Sequence, residues 1–321
     1  MRVQSIAVAA GLIAACISPL STAAWPERPI TFIVPYAAAG INDNSARITA
    51  QWVTKVLKQN VIVENRTGAN GTIAAEFVAR APADGYTFFM TASPTLMIVP
   101  HMQKINYDPF KSFVPISITD AGYVAIAVNP AVPAKTFAEL VAYARPRPNK
   151  LDYATGATGS TGHLSMALLL KRAEITMTHV PYKGSSAAVL AVLGGHVPIY
   201  VGTLSDGMAH HRSGKLKIIG VSSLKRSSEL PDVPTIAEQG YPGFTTAFWN
   251  ALLAPAGTPK DVIVKLAETI GAACKDPGFN AKYQALSVEA LCTTPEQFAE
   301  KMQTDAPIWE EAVKASGTAL K

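Results

Sequence analysis

Ser160 and His163 stand three residues apart, close enough in sequence to suggest a nucleophile and its base. The surrounding residues do not support that chemistry. No GxSxG elbow is present, and Gly159-Ser160-Thr161-Gly162 lacks its spacing. No acid is placed to orient the imidazole, and no paired carboxylates fall at the ends of adjacent strands. His163 therefore reads as a satisfied structural histidine, pointing away from the loop if a helix starts there. The glycines match neither a phosphate loop, which ends in GKS or GKT, nor GxGxxG. His210 and His211 are adjacent, and His101, His163, His179 and His196 show no ligand spacing, so no metal site is expected. What remains is a run of hydroxyls (Thr155, Thr158, Ser160, Thr161) interleaved with Gly156, Gly159 and Gly162. Such a loop lets a backbone approach a ligand and offers donors to a carboxylate or phosphate. It is equally the composition of a turn and helix N-cap.

The flanking segments decide where that loop would sit. Leu151–Ala154 reads as a short strand, Met166–Met177 as an amphipathic helical segment, and Thr178–Val180 as a second strand. In such a unit the loop lies at the C-terminal edge of an open sheet, where α/β proteins bind ligands. The pattern recurs. Ile30–Val34 is a continuous apolar strand, followed by Pro35 to Asp43 and a helix to Leu57. Val61–Glu64 leads into Asn65–Gly71 and a helix over Thr72–Ala79. Tyr86–Met90 ends at Thr91–Thr95. Three such βα units predict one right-handed parallel sheet. Val114–Asp120 and Tyr123–Val128 read as two strands separated by Gly122, a crossing into a second domain. There, Thr136 and Glu139 have capping-box spacing. Ser185–Leu193 reads as a helix, Val197–Val201 as a strand, and Gly202–Asp206 as another strand-end loop. Phe244–Leu253 would cross back, and helices over 262–274, 278–285 and 295–315 close the chain. The expected fold is α/β with two lobes across a cleft: 25–122 plus 246–321 as lobe 1, and 123–245 as lobe 2.

The ends and the composition narrow the setting. Met1-Arg2, the apolar run Ile6–Ile17 and the small residues Ser21–Ala24 form a secretory signal over 1–24, too short to span a membrane. Ile13-Ala14-Ala15-Cys16 also resembles a lipoprotein cleavage box, which would tether Cys16 to a membrane. The remaining ~300 residues suit two α/β domains. The net charge of +5 comes without any basic run longer than two residues, which argues against nucleic acid and fits a small anion. Cys274 and Cys292 read as a disulfide worth about 3 kcal/mol, with two buried thiols as the alternative.

Several stretches, taken together and in order, resemble one family. They are Trp25–Ile30, Val34-Pro35-Tyr36 leading to Gly40 and Asp43, Val63–Gly71, Asp84–Thr87, Tyr107–Pro109, His179–Gly184, Gly214–Leu216, Leu230–Thr235 and Ala254–Pro259. The chain is similar to the periplasmic substrate-binding proteins of tripartite tricarboxylate transporters, the Bug family. The resemblance covers the whole mature chain. It implies a type II-like periplasmic-binding fold whose lobes close on a small carboxylate. It also implies that backbone amides and waters at the first strand–helix loop hold one carboxylate group. Carried onto this chain, that loop is Ala38, Ala39, Gly40 and Asp43. The third-strand loop is Thr91 and Ser93, and the second-lobe loops are Thr155 to Thr161 and Thr203 to Asp206. Lys183-Gly184 corresponds less directly.

Two positions depart from the family pattern. Ala37-Ala38-Ala39-Gly40 replaces a loop richer in glycine, so Ala39 either bears strain at positive φ or lies in an ordinary region. Asp206 stands where a small or apolar residue is common. It would repel a second ligand carboxylate unless it met an N–H or O–H, or it caps the following helix. Asp43 likewise reads as a helix cap or a pocket residue. Tyr36, Phe248 and Trp249 would favour an aromatic diacid if they line the cleft, and pack the hinge and core otherwise. The resulting expectation is a monomeric periplasmic receptor, not an enzyme, without cofactor, that binds a mono- or dicarboxylate and serves membrane transporter subunits. A ligand-presenting receptor for a sensor kinase and a secreted hydrolase are the alternatives.

Overall fold

Residue choice along each strand explains the architecture of the computed structural model, which describes residues 25–320. The signal segment 1–24 and the Cys16 tether lie outside the described residues. Strand β1 (Ile30–Val34) is almost wholly buried, as a parallel strand covered on both faces must be. It leads through a tight loop to α1 (Ile41–Leu57), β2 (Val61–Asn65), α2 (Thr72–Ala79) and β3 (Thr87–Ala92). These strands form the expected parallel order β2-β1-β3. Two short helices follow where the sequence shows only a strand-end loop, α3 (Ser93–Met97) and α4 (Val99–Met102).

The crossing to the second lobe differs from the expectation of two strands broken at Gly122. It is one unbroken strand of 16 residues, β4 (Phe113–Val128). Gly122 does not interrupt it. A Cβ there would lie 2.4 Å from Phe248 Cζ, so the glycine makes room for a packed ring. Beyond β4 come α5 (Phe137–Ala144), β5 (Asp152–Thr155), α6 (Thr161–Ala173), β6 (Thr178–Pro181), α7 (Ser185–Leu193), β7 (Ile199–Thr203), α8 (Leu204–Arg212) and β8 (Lys217–Val221). The chain returns through β9 (Ala247–Pro255), then α9 (Lys260–Ala273), α10 (Pro277–Gln284), the two-residue β10 (Glu289–Ala290) and α11 (Pro295–Ser316).

The first half of β4 pairs antiparallel with β9, and β9 pairs antiparallel with β3. Its second half pairs antiparallel with β7 on one side and β8 on the other, while β5 is parallel to both β6 and β7. Strand direction then follows. β1, β2 and β3 run the same way as β4, out of lobe 1. β5, β6 and β7 run against it, out of lobe 2. The C-terminal strand ends of the two lobes therefore face each other.

The two crossings are cross-braced. Ser222 Oγ donates to Thr246 O (2.5 Å) and accepts from Val124 N–H (2.9 Å). Next to them Asn250 Nδ2 donates to the buried Asp120 carboxylate (2.7 Å), and Asn42 Nδ2 of α1 donates to Asn250 Oδ1 (2.8 Å). The largest apolar core runs through both lobes. It joins Phe89 and Leu96 to Leu164 and Ile199 by way of β4 and the α11 residues Phe298, Met302 and Trp309. Helix α11 packs against α6, and Lys171 pairs with Glu311 at 2.9 Å between them. Cys274 and Cys292 are bonded, with Cα atoms 6.0 Å apart, tying the end of α9 to the segment after β10.

Candidate functional site

On the lobe 1 side the site begins with the loop between β1 and α1. Ala37 to Gly40 are exposed, and Gly40 is the N-cap of α1 without a capping side chain. The first-turn amides of α1 therefore have no intrahelical acceptor and no side-chain cap. Ala39 has φ 64°, the left-handed region that glycine tolerates and alanine pays for. Asp43 braces this strained turn. Its buried carboxylate accepts from Ala39 N–H (2.9 Å), Asn65 Nδ2 (2.8 Å), Arg47 Nε (2.9 Å) and Arg47 Nη2 (3.0 Å). Burial pushes its pKa up, but the bonds from Arg47, Asn65 and Ala39 outweigh that and leave it below the usual carboxylate value. Asp43 thus shapes the cradle from behind. Asn65 serves the same loop, donating also to Tyr36 O (2.9 Å).

Tyr36 is half-buried at the end of β1, and its hydroxyl shares a 2.9 Å bond with Thr95 Oγ1. Burial, only partly offset by that bond, raises its pKa. Thr91 and Ser93 are fully buried. Thr91 Oγ1 donates weakly to Ala92 O (3.4 Å), and Ser93 Oγ accepts from Trp249 N–H (3.3 Å), so both hydroxyls face internal partners. Phe248 and Trp249 are core residues. Trp249 packs edge-on against Phe298 and donates Nε1–H to Asp305 (2.9 Å), and Phe248 sits among Phe279, Tyr283 and Val288. Of the three aromatics, Tyr36 alone reaches the cleft.

On the lobe 2 side the Gly/Ser/Thr loop closes β5 and opens α6. Ser160 is the N-cap, its Oγ accepting from His163 N–H at 3.3 Å. His163 does not point away from the loop. With Ser160 as N-cap, its ring lies beneath the loop, where Nδ1 accepts from Gly159 N–H (3.0 Å). The ring stacks on His179 with centroids 3.8 Å apart, and His179 Nε2 bonds Thr155 Oγ1 at 2.7 Å. Burial first, then the neighbouring His179, lowers the pKa of His163 to about 4, and burial lowers that of His179. His163 Nδ1, already accepting from Gly159 N–H, is not free to take a proton from Ser160 Oγ. Thr155 is buried, Thr158 exposed, and Thr161 half-buried at the first position of α6. Gly159 (φ 75°) touches lobe 1: a Cβ there would lie 2.4 Å from Met102 Cε.

At the end of β7, Thr203 is the N-cap of α8. Its hydroxyl donates to Asp206 Oδ2 (2.5 Å), and Tyr200 OH donates to the same oxygen (2.6 Å). Among the described residues no backbone amide donates to Asp206, so it does not cap α8. Tyr200 was not legible as a site residue, because its hydroxyl reaches Asp206 only once the strand turns into the helix.

Between the lobes lies a cavity of about 120 Å³ lined by Tyr36, Asn70, Pro94, Ile98, Val99 and Met102 from lobe 1 and by Thr158 and Gly159 from lobe 2. A 150 Å³ cavity holds a benzene-sized molecule, so this space is on the scale of a small organic acid. A larger, open hollow of about 450 Å³ is lined by Ala138, Arg145, Arg172 and Tyr241. It lies at the far end of α6, away from the facing strand ends. Among the described residues no group of His, Cys, Asp and Glu converges as a metal site, and no helix is long and apolar enough to cross a membrane.

The chain has relatives of known kind. A family model described as the tripartite tricarboxylate transporter family receptor matches residues 45–317. Protein BugT of Bordetella pertussis is 33% identical over 100% of this chain and 98% of its own. Among solved structures, R. palustris Rpa4515 with adipate is 32% identical, with a TM-score of 0.78 over 92% of this chain and 99% of that one. MatC from Rhodopseudomonas palustris with bound malate is 29% identical, with a TM-score of 0.74 over 90% of this chain and 100% of that one. Two α/β lobes with opposed strand ends, matched along nearly the whole chain, place it in the tripartite tricarboxylate transporter receptor family, the Bug proteins.

Proposed function

We propose that this protein is a periplasmic receptor, not an enzyme, that captures a small organic carboxylate between its lobes and delivers it to the membrane subunits of a tripartite tricarboxylate transporter. The observation that carries this reading is the small cavity in which Tyr36, at the head of the exposed Ala37–Gly40 loop, and Asn70 stand opposite Thr158 and Gly159. One carboxylate group would be held by loop and first-turn amides, aided by the positive end of the helix dipole. Thr158 and the edge of lobe 2 would meet the rest of the ligand. Residues 25–122 with 246–321, and 123–245, would move as the two lobes, as a monomer. Contact with both lobes only when closed would shift the equilibrium toward the closed form.

The bound states of Rpa4515 with adipate and MatC with malate favour a carboxylate. The bonded Cys274 and Cys292 suit an oxidising compartment, in line with export through the segment 1–24. The test is a thermal-shift screen of residues 25–321 against aliphatic, amino, hydroxy and aromatic acids. A ligand at 100 times its Kd stabilises the folded state by about 2.7 kcal/mol. A clear rise with one class of acid is expected. If no acid raises the melting temperature and native mass spectrometry finds the protein empty, the receptor reading is wrong.

A further inference from the structure

We propose that Asp206 makes this receptor selective for monocarboxylates that carry a hydroxyl or amino group at their far end, and turns dicarboxylates away. The inference rests on the carboxylate-receptor reading above and specifies the ligand's second end.

The geometry is that of a carboxylate held in place. Thr203, as N-cap of α8, gives its hydroxyl to Asp206 Oδ2 (2.5 Å) instead of accepting from a helix amide. Tyr200 OH donates to the same oxygen at 2.6 Å. The Tyr200 ring lies over Gly202, where a Cβ would stand 1.9 Å from the tyrosine oxygen, so only glycine leaves room for this hydroxyl. Both donors are thus used on Oδ2. Among the described residues none donates to Oδ1, none forms an ion pair with Asp206, and the side chain is only half-buried. Its position, the third residue of α8, puts it at the C-terminal end of β7, next to β5 and its loop and outside the lining of the 120 Å³ cavity.

An internal carboxylate therefore stands at the helix N-terminus where lobe 2 would otherwise offer amides to a ligand anion. With one ligand carboxylate at α1, a second one reaching lobe 2 would meet this negative charge as the cleft closed and water left. A hydroxyl or ammonium at the same place would instead donate to the open Oδ1. Adipate and malate, seen on the relatives, each carry two carboxylates. This chain, on its own geometry, calls for a different far end.

The experiment is titration calorimetry on residues 25–321 with matched chains: adipate, 6-hydroxyhexanoate and 6-aminohexanoate, then succinate, 4-hydroxybutyrate and 4-aminobutyrate. The expected result is that a hydroxy or amino acid binds at least about tenfold more tightly than the diacid of equal length. In Asp206→Asn, which keeps an acceptor for Tyr200 and Thr203, that ratio should fall to about one or invert. A diacid that binds the native protein as tightly as its partners overturns the selectivity while leaving the carboxylate receptor intact. An unchanged ratio in a folded Asp206→Asn does the same. If no acid of any kind binds in the wider thermal-shift screen, the receptor reading fails and this one falls with it. The ranking on the native protein decides the matter even if the variant does not fold.

Discussion

Ala39 carries a backbone conformation that its side chain opposes, and Asp43, Asn65 and Arg47 hold it there. A left-handed L-residue costs about 1–2 kcal/mol, and glycine returns some of that as unfolded-state entropy. Ala39→Gly should therefore raise stability by about 0.5–1 kcal/mol in urea denaturation; a loss would show that the turn is not strained. His163 makes a second prediction at this scale. Its folded pKa, about 4, lies below the ordinary value of 6.5. The native state thus refuses a proton that the unfolded chain accepts. Stability is full above pH 6.5 and declines as the pH falls toward 4, by about 2 kcal/mol between pH 7.5 and 5 from this group. His163→Gln keeps an acceptor for Gly159 N–H and should flatten that part of the profile. An equal acid slope in wild type and variant would assign the loss to carboxylates.

At the scale of elements, close approach explains glycines that composition marks only as turn-formers. Gly162 lets the first turn of α6 press on β7; its Cβ would lie 2.3 Å from Val201 O. Gly162→Ala should cost about 1–3 kcal/mol by overpacking and weaken ligand binding, because the β5 and β7 loops would separate. Gly271, inside α9 with open space around its Cβ position, is the control. Gly271→Ala should stabilise by up to about 1 kcal/mol, and parallel denaturation curves would check both. The same contrast explains what could be read in advance. The β-loop-α order is legible because apolar runs alternate with small polar loops, and that alternation alone marks the loop after Leu151–Ala154. The facing of a hydroxyl was not. Thr91 and Ser93 sit at a strand end, where the chain looks alike whether it turns to the cleft or to the core. The orientation of His163 depended on which residue caps α6. Asp206 depended on Tyr200, six residues earlier. Gly122 looked like a break because the ring it accommodates, Phe248, is far away in sequence.

In the whole molecule, the two crossings are neighbours in one ladder, with Tyr123 opposite Ala247 and Ser222 bridging Val124 to Thr246. In the closing motion proposed above, the lobes would turn without breaking these bonds. Hydrogen exchange at Val124 and Thr246 should then stay slow with and without ligand, while the Gly156–Ser160 loop slows only when ligand is present. Rapid exchange at the crossings in the empty protein would mean that the hinge unzips instead.

The unbroken β4 has a mechanical consequence. Paired strands have a preferred right-handed twist, so a ribbon shared by two lobes resists rotation in both directions and returns to its rest angle. It acts as a torsion spring and not as a bearing. The closing motion proposed above would wind the spring at the expense of the ligand's binding energy. In the proposed cycle, once the cargo was drawn away the lobes would recoil with no further signal, leaving the receptor ready for the next capture.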